Sequence, residues 1–197
     1  MASTPPELAS FIGSYFFSQP LLVVHVLVPK GSRSTHWRPV AAPMIKENFN
    51  ATFRGRTSSS CSRVVIRDCQ GLVFRACTRR HQYVSSPFVV ETLAFLTMAI
   101  FAYDLDLSRV MFERDSLHVI RRLTSLQDDY SKIRALIHEG RRSLLRDFSE
   151  ATVRHCFWEQ NLVAHLLAAL GFQWEEDQFW MEEVPFQVEL AVVAKVE

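Results

Sequence analysis

From residue 45 onward the apolar positions fall into short alternating runs, then into helical spacing, then into runs again. In residues 45–53 (IKENFNATF), Ile45, Glu47, Phe49, Ala51 and Phe53 alternate with Lys46, Asn48, Asn50 and Thr52. That period of two predicts a strand with one mainly apolar face. Residues 63–68 (RVVIRD) and 72–78 (LVFRACT) predict two further strands, joined through Asp68-Cys69-Gln70-Gly71, where Gly71 suits the positive φ of a hairpin. Residues 87–103 open on Pro87 and are apolar nearly all round, the pattern of a heavily buried helix. Residues 109–112 have strand character. The pattern then breaks at Glu113-Arg114-Asp115-Ser116, and Leu117, Val119, Ile120 and Leu123 take up helical spacing. Residues 130–145 predict an amphipathic helix with a basic side (Lys132, Arg134, Arg141, Arg142), residues 148–157 a fifth strand, and residues 161–170 a short helix closed by Gly171. Three antiparallel strands followed by strand–helix units predict an α/β protein with a mixed five-stranded sheet and helices on its faces.

Outside this region the texture differs. Residues 1–36 mix Pro, Ser and apolar residues without sustained periodicity and read as a poorly ordered arm, with one turn of helix near residues 7–17. Residues 29–43 are linker-like, with three prolines and a glycine. The expected organisation is an arm over 1–36, a domain over 37–171 and an acidic, aromatic extension over 172–197, packed through Trp174, Phe179 and Trp180. The run 21–28 (LLVVHVLV) is too short to span a bilayer. It also lacks the basic flank of a signal peptide, because Glu7 is the only charge before Lys30, so neither membrane nor export is expected.

Charge changes the picture more than composition does. The 197-residue chain has a formal charge of +1, but residues 30–80 carry eleven Lys/Arg against two acids, a net of +9. Residues 171–197 carry one Lys against seven acids, a net of −6. The basic third could meet phosphate, and the acidic tail could only weaken that contact. Cys61, Cys69, Cys77 and Cys156 form no CxxC pair and have no histidine at metal spacing. They are expected as reduced, mostly buried thiols of an intracellular protein whose compartment is unknown.

Two carboxylates stand out. Asp115 lies where a strand runs into a helix, a position at which open α/β sheets place ligand groups and at which an aspartate also simply caps the helix. Glu91 is the only charge of its helix and lies over Ala94, Phe95, Met98 and Ala102. A carboxylate on such a stripe is costly unless paired or metal-bound, although a first-turn glutamate also gains from the helix dipole.

Several words of the sequence, taken in order, resemble the plant-type reverse-transcriptase-like ribonuclease H domains. Trp37-Arg38-Pro39, then Pro43, Lys46 and Asn48, look like the lead-in to the family's first strand, and Val65-Ile66-Arg67-Asp68 with Gly71 looks like its first hairpin. Glu91-Thr92-Leu93-Ala94 resembles its AEALA helix and Glu113-Arg114-Asp115-Ser116 its ExDS strand end. Arg154-His155, Asn161 and Val163-Ala164 resemble its RHV…N..AD.LA ending, and Trp180 and Pro185 echo a common tail.

The resemblance implies the ribonuclease H fold. It also implies hydrolysis of the RNA strand of an RNA–DNA hybrid by four carboxylates holding two Mg²⁺ ions, with a late-strand histidine that shuttles a proton. Mapped residue by residue, the first-strand Asp falls at Asn50, the helical Glu at Glu91, the strand-end Asp at Asp115, the last-helix Asp at His165 and the late histidine at His155. Only Glu91 and Asp115 remain as charged metal ligands, so Mg²⁺ binding is expected to be weak or absent. Glu47, three residues from Asn50, points to the other side of the strand.

Three functions follow from this mapping: an active Mg²⁺-dependent ribonuclease, a nucleic-acid-binding module that cleaves poorly or not at all, and a decayed retroelement remnant with a scaffold role. The second is favoured, as a monomer with RNA–DNA hybrid or RNA as partner.

Overall fold

The alternation over residues 45–53 becomes a two-sided strand, β1 (Ile45–Arg54), because each of its faces meets a different set of helices. The computed structural model describes residues 36–117, 120 and 134–193. The expected arm up to residue 35, most of the helix expected after Asp115, and the start of the helix expected from residue 130 lie outside the described residues. β1 pairs antiparallel with β2 (Ser59–Arg67), and β2 pairs antiparallel with β3 (Val73–His81). The β2–β3 turn is closed by its own residues. Gly71 has φ 84°, and Asp68 Oδ1 accepts from the N–H groups of Gln70 and Leu72, both at 2.9 Å.

α1 (Pro87–Asp104) follows, its first turn capped by the Ser86 hydroxyl, which accepts from the Val89 N–H. α1 is long and apolar enough to cross a membrane by length and composition. In this fold, however, its Ala94, Phe95, Met98 and Ala102 are buried in the core over the sheet. β4 (Arg109–Arg114) lies parallel to β1, and β5 (Glu150–His155) lies parallel to β4. α2 (Arg134–Asp147) connects toward β5, and α3 (Leu162–Leu170) follows a single 3-10 turn at Trp158–Asn161.

Among the described residues the sheet has six strands, not the expected five, in the order β5-β4-β1-β2-β3-β6. The addition is β6 (Gln178–Met181), which pairs antiparallel with the outer edge of β3 and leads to α4 (Phe186–Val193). Four residues flanked by acids are too few to show a strand period. The open edge of β3 makes them a strand by giving their backbone groups partners.

Two cores result. On one face α1, with Leu144 of α2, covers Phe49, Val64, Ile66, Val110 and Phe112. Phe49 meets Phe95 edge to face at 6.1 Å. On the other face α3 and α4 cover Val65, Val73 and Ala76.

Gly171 follows α3, but not as the left-handed cap that its position suggests, since its φ is −60°. The glycine is needed for space. A Cβ there would lie 2.7 Å from Cys61 Sγ and 2.8 Å from the buried Arg63 Nε.

Candidate functional site

β4 runs parallel to β1 with Asn48 opposite Glu113, so two residues further on Asp115 leaves the sheet level with Asn50. α3 crosses the same end and lowers His165 between them. The His165 Nε2–H donates to Asp115 Oδ2 at 3.0 Å, and the Asn50 amide donates to His165 Nδ1 at 2.6 Å. This network assigns the neutral Nε2–H tautomer to His165. Asn50 Oδ1 is itself occupied by the Ala51 N–H at 2.7 Å. Asn161, just before α3, donates through one amide nitrogen to Asp115 Oδ1 and to the Phe49 carbonyl, each at 3.2 Å. His155, the last residue of β5, donates from Nε2 to the Asp115 backbone carbonyl at 3.1 Å.

Four of the five candidates, Asn50, Asp115, His155 and His165, thus meet around Asp115. Glu91 is not a member of this chain of hydrogen bonds. Its carboxylate forms an ion pair with Arg114, whose guanidinium is buried under the sheet with its Cζ 5.0 Å from the centre of the Phe49 ring. The cost expected for a carboxylate on the α1 stripe is therefore offset by a buried arginine.

Burial works to raise the Asp115 carboxyl, but it is outweighed. The hydrogen bond from His165, then the charge of Arg114 and the hydrogen bond from Asn161, hold the group below the usual carboxylate range. Burial lowers the Arg114 guanidinium to about 10, which leaves it charged at neutral pH.

Three participants escape a reading of the sequence. Arg114 is the unspecified position of the ExDS word, and its only signal is a charge inside a strand. Asn161 is visible as a family word without a role. Trp158 has no sequence signal at all, yet it is 51% exposed and stacks at a tilt on His165, with ring centres 5.4 Å apart.

The donor set does not fit two Mg²⁺ ions, which are hard cations that seek several free anionic oxygens. Both oxygens of Asp115 accept hydrogen bonds, Glu91 is neutralised by Arg114, Asn50 presents an amide, and an imidazole stands at the fourth position. Among the described residues, no three His, Cys, Asp or Glu side chains gather as a metal site.

The basic third is also spent differently from expectation. Lys46, Arg63 and Arg67 are buried. Lys46 donates to Glu113 at 2.9 Å, and Lys46 and Arg67 flank the ring of Trp37 at 5.0 and 4.8 Å. Arg79 pairs with Asp177 at 3.1 Å, and Arg80 donates to the Trp174 carbonyl at 2.9 Å. The acidic tail therefore engages part of the basic third directly. Exposed cations remain at Arg54, the last residue of β1, at Arg56 after it, and at Arg134 and Arg142 on α2.

Comparison with known proteins gives a consistent answer. Residues 48–171 match the reverse transcriptase-like family. The fold is similar to that of RNase H1 from the halophilic archaeon Halobacterium salinarum, with TM-score 0.59 and 18% identity over 66% of this chain and 98% of that one. It is also similar to an RNase H1 isolated from compost by a metagenomic approach, with TM-score 0.58 and 15% identity over 66% of this chain and 96% of that one. The N-terminal RNase H domain of a Mycobacterium tuberculosis protein aligns with TM-score 0.56 and 12% identity, again over 66% and 96%. No curated protein sequence matches significantly. With the family match covering more than half of the chain and the sheet order and helices built as described, the chain belongs to the reverse transcriptase-like family and has the RNase H-like fold.

Proposed function

We propose that this domain binds nucleic acid, RNA–DNA hybrid or RNA, through an RNase H-like surface and does not hydrolyse it efficiently. The observation that carries the reading is the closed chain Asn50–His165–Asp115–Asn161, beside the Glu91–Arg114 ion pair. Protein donors already take up the acceptors that a two-metal hydrolase would leave for its ions. Losing charged ligands from such a site costs orders of magnitude in rate. Binding is supported by Trp158, an exposed ring at the mouth of the site on which a base could stack, and by the exposed Arg54, Arg56, Arg134 and Arg142. We read the protein as an intracellular monomer. Its four free cysteines, three of them buried, suit a reducing compartment.

The test is a gel-shift titration of labelled RNA–DNA hybrid and single-stranded RNA, with cleavage assayed in Mg²⁺ and in Mn²⁺. Wild type should bind more weakly as salt rises, lose about tenfold or more in affinity on Trp158→Ala, and show no cleavage. Restoring the carboxylates by Asn50→Asp/His165→Asp should be insufficient while Arg114 holds Glu91, and adding Arg114→Met should yield cleavage. Wild-type cleavage that disappears in Asp115→Asn would overturn the reading in favour of an enzyme. Absence of salt-dependent binding would overturn it in favour of a scaffold.

A further inference from the structure

α4 is apolar on both of its sides. Val188 and Val192 are buried against the sheet and α3, whereas Phe186, Leu190 and Val193, at spacing i, i+4 and i+7, are 74%, 71% and 75% exposed. Val193 and Val192 line one side of a groove of about 470 Å³, and the β2–β3 hairpin, with Leu72 60% exposed, lines the other. Leu72, Val73, Val184 and Val193 give the groove an apolar floor, and Asp68, Glu182, Glu183 and Glu189 give it an acidic rim. Apolar area of this kind, ringed by one sign of charge, selects an apolar segment that carries cations beside it.

The chain carries such a segment. Residues 21–28 (LLVVHVLV) are followed by Lys30 and Arg33, and no acid occurs between Glu7 and Glu47. The place where the chain joins the described structure is also close to the groove. Trp37 packs on Arg67 at 4.8 Å, Arg67 pairs with Val73 of β3, and Val73 lines the groove. Trp37 and Val73 therefore lie on the same face of the sheet, separated by the Arg67 contact and one strand spacing, roughly 10 Å in all. The nine residues from Val28 to Trp37 reach about 30 Å when extended, which is several times that gap. A tether this short supplies an effective concentration on the order of mM, so even a weak affinity fills the site.

We propose that the groove between α4 and the β2–β3 hairpin is the docking site of this chain's own residues 21–28, with Lys30 and Arg33 against the carboxylates of its rim. Docking in cis would cover an apolar face next to the short edge strand β6, where an uncovered edge invites association with other chains.

Hydrogen exchange on the full chain tests this. In Val24→Asp/Leu27→Asp, amides over residues 72–74 and 186–193 should exchange about tenfold faster than in wild type, while those of β1 stay unchanged. Charge exchange provides a second route that leaves the apolar residues intact. Lys30→Glu/Arg33→Glu should speed exchange over the same residues, and adding Glu182→Lys/Glu183→Lys should restore the wild-type rate. Unchanged exchange in both arm variants would overturn the proposal. Protection that fades on dilution would overturn it as well, because the occupant would then be a second copy.

Discussion

Glu47 lies on the apolar face of β1 with both carboxylate oxygens buried and without a hydrogen-bond partner among the described residues. Burial pushes its carboxyl well above the usual range, which favours the neutral acid in the folded protein. A group raised in the folded state favours folding below its unfolded value, about 4.3. That contribution is lost as pH rises toward the folded value. Glu47→Met should therefore raise stability by about 1–3 kcal/mol, and by more at pH 8 than at pH 5. Urea midpoints at the two pH values measure it, and an unchanged midpoint at pH 8 would mean that Glu47 has a partner in solution. On the opposite face Asp115 shows the reverse balance, since two donors, His165 and Asn161, and the charge of Arg114 favour its charged form. The two acids differ because strand alternation sends them to different sides of one sheet. That much follows from their sequence positions, whereas the donors around Asp115 come from α3 and from the turn before it.

At the scale of elements, the strand and helix order was legible because each long element repeats its period several times. β1, α1 and α3 lie within a few residues of their expected bounds. β6 was hidden because four residues carry almost no period, and β2 starts at Ser59 rather than Arg63 because its first residues are polar. Gly171 is instructive in another way. The sequence marks it as a helix terminator, yet its backbone is one that any residue adopts. What forbids a side chain is Arg63 and Cys61 from β2, packed beneath it. Gly171→Ala should cost about 1–3 kcal/mol through overpacking, read as a lower melting temperature. The double variant with Cys61→Ala should recover part of that loss by opening space.

Across the whole molecule, charge is internalised more than the totals suggest. The +9 of residues 30–80 contributes Lys46, Arg63 and Arg67 to the interior and Arg79 and Arg80 to the acidic tail. With Arg114 paired to Glu91 and the His165 and Asn161 donors on Asp115, the two remaining carboxylates already have partners within the fold. Its melting temperature should therefore be the same in EDTA and in millimolar Mg²⁺, because an ion that does not bind the folded state cannot stabilise it. The variant Asn50→Asp/His165→Asp/Arg114→Met should gain a Mg²⁺-dependent rise of several degrees. A Mg²⁺-dependent rise in wild type would show metal held by ligands other than these.

Local pattern along the chain sets the period of each long element, the hairpin at Gly71 and the opposite facing of Glu47 and Asn50. These depend on neighbours in the chain or on spacing along one strand or helix. Packing between distant elements pairs Glu91 with Arg114, turns Asn161 and His165 onto the oxygens of Asp115, and makes the acidic tail a sixth strand bound to the basic third. Each of those outcomes depends on which distant backbone supplies the nearest donor, acceptor or open edge, and no local pattern encodes that distance.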